Sequence, residues 1–165
     1  MSSRRSINIE FSNEALKENL ARLRGEWEDS QSTRERGGIY GYLNAVFELV
    51  SWWTHEVKAA EYARRALLLR DRRLLVEVQE PFAAVIYCTA DPAKVDFRTR
   101  SKWSRVLRYA AEFKSLQEPL ADFVKRKGGI NKCAARFARH LGRTAQFAVP
   151  MLIDLKSRTR KRTVE

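Results

Sequence analysis

Chain breakers are scarce: 4 prolines and 7 glycines interrupt 165 residues. So few turn formers argue against a sandwich or barrel of short strands, which needs a turn roughly every ten residues. Cysteine is scarcer still. Cys88 and Cys133 are too few for a disulfide scaffold, and no Cys-x-x-Cys or Cys/His cluster offers a zinc site. No metal or other cofactor is expected. No apolar run approaches the roughly 18 residues of a membrane span. The opening Met-Ser-Ser-Arg-Arg-Ser lacks the apolar stretch of a signal peptide. The expectation is a soluble cytoplasmic protein, nucleoid-associated if bacterial, with no membrane partner.

Catalytic signatures are also missing. There is no Gly-rich phosphate loop, nucleophile elbow, His-Glu-x-x-His or EF-hand pattern. Only His55 and His140 are present. His55 and Glu56 are adjacent, and helix neighbours point about 100° apart, too far for an acid/base dyad. Cys88 lies in an apolar run and Cys133 on the inner side of a helix, so both read as packing residues. The protein is expected not to be an enzyme.

What is abundant is helix-forming and charged. Hydrophobic residues make up 44%, aromatics 10% and charged residues 32%. Many Ala, Leu, Arg, Lys and Glu with few breakers predict an all-α fold. We expect a bundle-like N-terminal part followed by a basic, helix-turn-helix-like C-terminal part.

Apolar spacing places the helices. After a loose N-terminal arm, Ser12 is a candidate N-cap, followed by Leu16, Leu20, Leu23 and Trp27 on one stripe. The segment from Asp29 to Gly38 reads as a loop, within which Ser32-x-x-Glu35 is a weak capping-box pattern. Ile39 to about Leu69 is too long for one ordinary helix, so two are expected with a joint near Trp53-Thr54. From Leu74 to Thr89, short apolar runs flank Pro81, and periodicity alone does not separate strand from helix. Asp96 can cap a helix to about Lys114, with Trp103, Val106, Leu107, Ala110 and Ala111 inward. A further helix from Pro119 to Lys127, stopped by Gly128-Gly129, carries Leu120, Phe123 and Val124 inward. The next is expected from Ile130 to Leu141, ending at Gly142.

Charge is distributed very unevenly. From residue 96 onward lie 18 of the 32 Lys/Arg but only 6 of the 20 Asp/Glu, so this stretch carries the entire +12 and residues 1–95 sum to zero. Solubility alone gives no reason for such segregation; a polyanion meeting one half does. The division expected is a neutral helical module at 1–95, a basic module at 96–155 and a basic tail at 156–165. The neutral module, with Tyr40, Tyr42, Trp52 and Trp53, reads as a core, a homodimer surface or a partner-binding module. An aromatic platform for single strands fits poorly without net positive charge.

The helix after Gly128-Gly129 separates into two faces. Ile130, Ala134, Phe137 and Leu141 repeat at i, i+4, i+7 and i+11, while Lys132, Arg136, Arg139 and Arg143 repeat at the same offsets outside. Lys and Arg meet phosphates, and Asn131 at the helix start suits base readout in a major groove. Lys125, Arg126 and Lys127, with Arg158, Arg160, Lys161 and Arg162 of the tail, are candidate phosphate anchors. Arg98, Lys102 and Arg105 form another stripe, which reads equally as a second phosphate row or a solvated face.

The run Gly-Gly-Ile-Asn-Lys-Cys-Ala-Ala-Arg-Phe, with Leu-Gly-Arg-Thr after it, resembles the helix-turn-helix of Fis-type bacterial DNA-binding proteins over about residues 119–145. The resemblance implies that Gly129 to Leu141 is the first helix of the motif and that a reading helix starts near Arg143-Thr144. Ile130 between Gly and Asn departs from that pattern, as do the stretched spacing to Leu-Gly and the Ala-Gln-Phe that follows. The function expected is binding of double-stranded DNA, as a transcriptional regulator of bacterial or mobile-element origin. The rivals are an RNA-binding protein and a non-enzymatic adaptor or inhibitor whose basic face meets an acidic protein.

Overall fold

The computed structural model describes residues 12–33, 37–70 and 80–159, with side chains described as far as residue 144. The described residues form helices and turns, with no strand among them. The elements are α1 (Asn13–Ser32), α2 (Ile39–His55), α3 (Ala59–Arg70), α4 (Pro81–Thr89), α5 (Phe97–Phe113), α6 (Leu120–Arg126) and α7 (Ile130–Thr159). The fold is all-α.

Local chemistry explains three of the helix starts. Ser12 is extended and its hydroxyl accepts from the Ala15 amide, while Asp96 does the same for Thr99. Each satisfies an N–H that the first turn leaves without a partner. Glu80 uses both carboxylate oxygens, taking the Phe82 and Ala83 amides ahead of Pro81. The stretch 81–89, undecided between strand and helix, is therefore helical. It is buried at Phe82, Ala84, Val85, Ile86 and Cys88, which erases the one-sided pattern that periodicity needs. The run from Leu74 to Val78 lies outside the described residues.

Three boundaries differ from expectation. α1 continues through Asp29 to Ser32, so Ser32 sits in a last turn, its hydroxyl donating to the Asp29 carbonyl, and caps no following helix. The joint between α2 and α3 falls at residues 56–58, just beyond the expected place, with Val57 at φ 58°. α7 does not stop at Gly142. A C-capping glycine takes positive φ, which Gly128 and Gly129 do and Gly142 does not. Gly142 is an ordinary helical residue within a 30-residue helix.

One apolar cluster runs from Leu16 on α1 to Phe137 on α7. Residue 95 is thus a boundary in charge that the core crosses, since α5 packs on α4, α2, α6 and α7. At the crossing, Trp27, Tyr42 and Trp103 meet with ring centroids 5.4–6.2 Å apart. Tyr42 and Trp53 are buried, while Tyr40 and Trp52 are half-buried. Burial pushes the Tyr42 phenol well above its usual range even though it is hydrogen-bonded to Thr89. No helix of the described residues is long and apolar enough to cross a membrane.

Candidate nucleic-acid interface

α7 is held on its inner face by Cys133, Ala134 and Phe137, all buried. Leu141, expected inward, is 38% exposed, and on α5 Ala111 is exposed too. Both lie where their helices leave the shared core. The guanidinium of Arg108 lies over the Phe137 ring at 4.8 Å, and Glu112 Oε2 is 3.0 Å from His140 Nε2. Partner numbers rise together, so α5 and α7 run in the same direction. Phe113 meets His140 edge-on, and Tyr109 packs on Phe123 of α6. α7 therefore has a fixed rotation about its axis, which decides what it shows to solvent.

The outward stripe forms as expected. Lys132, Arg139 and Arg143 are exposed. Arg136 is half-buried because its Nη1 donates to the Lys127 carbonyl at 2.7 Å, tying α7 to the end of α6. That bond caps a carbonyl left without a partner at the α6 C-terminus and leaves the other guanidinium donors free. The turn between them is tight: Gly128 and Gly129 have φ 96° and 95°. Lys132 folds over this turn, its Cδ 2.5 Å from where a Cβ on Gly128 would stand. Lys127, Lys132 and Arg136 are thereby gathered around one turn from three sequence positions.

Other predicted residues fall elsewhere. Arg126 forms a two-pronged ion pair with Glu118, Nε to Oε1 and Nη2 to Oε2, both 2.8 Å. The pair holds the Glu118 carboxyl below the usual carboxylate range and raises Arg126. Arg126 is a clamp on the 114–119 loop and leaves the free cation set. Lys125 is exposed, with its ammonium over the Tyr40 ring at 5.6 Å. Asn131 is exposed but about 100° around the helix from Lys132, beside the stripe and not within it.

On α5, Arg105 lies back along its own helix, bonded to the Ser101 carbonyl and hydroxyl. Arg98 is exposed and Lys102 half-buried. The Arg158 side chain, and Arg160, Lys161 and Arg162 altogether, lie outside what is described.

No described carboxylate neutralises the stripe. Among the described residues from 96 onward, the carboxylate contacts of cations and histidine are Glu118–Arg126 and Glu112–His140. Asp96 is occupied at its cap, where hydrogen bonding from Thr99 first, with Arg98 and Lys102 nearby, holds its carboxyl below the usual range. Lys125, Lys132, Arg139 and Arg143 thus remain without a described carboxylate. Spacing alone does not show the contact of Arg108 with Phe137, which joins residues far apart in the chain. Neither cysteine is built for chemistry: both are free and buried, and burial pushes the Cys88 thiol up to about 11 and raises Cys133. Among the described residues no group of His, Cys, Asp and Glu is arranged to hold a metal ion. Comparison of the chain with protein-family models, curated proteins and solved structures finds no match in any of the three.

Proposed function

We propose that the protein binds double-stranded DNA through the outer face of α7 and the C-terminal end of α6, and acts as a transcriptional regulator. The carrying observation is a row of cations, Lys132, Arg139 and Arg143, on a helix whose other side is buried, with no described carboxylate against it. A helix about 10–12 Å across with its side chains fits a major groove about 12 Å wide. α6 and α7, joined by the Gly128-Gly129 turn, serve as the helix–turn–helix unit, with α7 in the groove. The alternative register, a reading helix opening near Arg143, finds no turn there because α7 is continuous through Leu141 and Gly142. Lys125 and Lys127 supply phosphate anchoring, and Asn131 reads a base edge from beside the stripe. A second copy joined through the neutral half would present two such helices to successive half-sites.

The test is a gel shift with random duplex at low salt, repeated across a salt series. If six to ten cations meet phosphates, log affinity falls against log salt with a slope of about −5 to −9 through counterion release. Binding indifferent to salt, or absent at low salt, removes the proposal. Competition between duplex DNA and hairpin RNA decides which nucleic acid is preferred, since stripes of this kind also serve structured RNA.

A further inference from the structure

Away from α7, cations from three helices crowd around the end of α4 with no described carboxylate paired to them. Arg24 of α1 and Arg70 of α3 donate to the same oxygen, the Cys88 carbonyl, each at 3.2 Å. Arg70 also lies over the Tyr87 ring at 5.0 Å, and Arg100 of α5 lies over that ring at 5.6 Å. Three guanidiniums from three helices thus meet at two adjacent residues. Among the described residues none of the three is in an ion pair. Like charges brought together repel, and the arrangement calls for a counter-charge.

The same place holds donors left over. The indole N–H of Trp27, a residue only 2% exposed, has no hydrogen-bond partner; nor has the buried Nε of Arg100, which lies by Tyr87 outside the cavity lining. A buried donor without a partner costs stability, so each such atom needs a reason. Trp27, Arg24 and Arg70 all line a cavity of about 260 Å³ that Lys94 also borders. Two carboxylates share the lining. Asp91 turns an oxygen inward to the Ala93 amide, and Glu28 is exposed. With three cations to two acids the lining stays net positive, and Trp27 within it carries an N–H without a partner. Each guanidinium gives one N–H to Cys88 and retains others, in a fork suited to two oxygens of one group.

We propose that this cavity binds a small oxyanion, a phosphate or carboxylate group on a small molecule, held by Arg24, Arg70 and Lys94 with the Trp27 N–H as a neutral donor. The site ties α1, α3 and α4 together beside Trp103 and is independent of the DNA-binding reading.

The test is titration of the full chain with inorganic phosphate and, separately, succinate, followed by calorimetry and tryptophan fluorescence. Potassium chloride at matched ionic strength is the control. Saturable binding of either anion is expected, and the anion that binds identifies the chemistry. Trp27→Phe keeps the ring, and Lys94→Gln alters an exposed residue whose side chain makes no described contact. At least one should weaken binding about tenfold, the loss expected for one hydrogen bond to a charged group. Lys132→Ala should leave it unchanged. No saturable binding, a signal that potassium chloride reproduces, equal binding in wild type and both cavity variants, or loss in Lys132→Ala each overturns the proposal.

Discussion

The neutral N-terminal helices and the basic C-terminal ones use the same side chains in opposite ways. In α1 and α3, Arg24 and Arg70 reach across the molecule to one carbonyl, and Arg65 bonds to Asn13 with two nitrogens at 3.1 and 2.6 Å. There arginine is a cross-link between helices. On α7, arginine and lysine repeat with helical period on an outer face, where Arg136 bonds back to the Lys127 carbonyl and Lys132 folds over the Gly128-Gly129 turn. Position in the fold, more than residue type, decides whether a cation ties helices together or stands on an outer face. Arg126 sharpens the point: it sits among the basic residues yet is bound by Glu118 like a cross-link of the other half.

The comparison can be broken most forcefully at its junction. Phe137→Ala removes a ring that is 1% exposed and anchors α7 to the body, so unfolding free energy should drop by about 3–5 kcal/mol. A loss near zero in denaturant titration would mean that α7 is not seated as described. Next comes the double change Lys132→Ala with Arg139→Ala, which should leave the melting temperature unchanged. If both cations contact phosphates, it should flatten the salt slope of DNA binding by about 2.

Arg70→Met is the mirror experiment. It should destabilise by about 1 kcal/mol, since the Cys88 carbonyl keeps only Arg24, while DNA affinity stays constant. An equal loss of affinity would erase the distinction between halves. The smallest effect concerns pH. The folded-state pKa of Glu118 is depressed, so its contribution is present above the ordinary glutamate range and disappears as pH falls through the lower folded value. Glu118→Gln should therefore unfold with a shallower dependence on pH over that acid window. An unchanged acid limb would show that the pair with Arg126 does not form in solution.

The sequence revealed what is local. Ser12 and Asp96 announce their helices because a cap needs only its own side chain and an amide two or three residues on. The stripes of α1 and the first turns of α7 are equally plain, since burial on one side leaves a 3.6-residue period. Two kinds of feature escaped. α4 is buried on most sides, so its composition carries no period. Gly142 looked like a stop because glycine so often ends helices, but that role needs a positive φ that only the surrounding chain determines. Of the candidate interface, the periodic stripe was legible. The diversion of Arg126 to Glu118 and the link from Arg136 to Lys127 span eight and nine residues around turns, beyond the reach of spacing rules.

The Gly128-Gly129 turn has a consequence for how this protein can change by mutation. At position 128 any side chain meets a strained φ of 96° and also pushes aside the exposed, flexible stem of Lys132, which yields at little cost. Bending the turn and displacing the cation are therefore a single event. Variants at position 128 should lose folding stability and nucleic-acid binding together, whereas variants at Lys132 should separate the two. In a saturation library scored for both traits, position 128 would lie on the diagonal and position 132 off it.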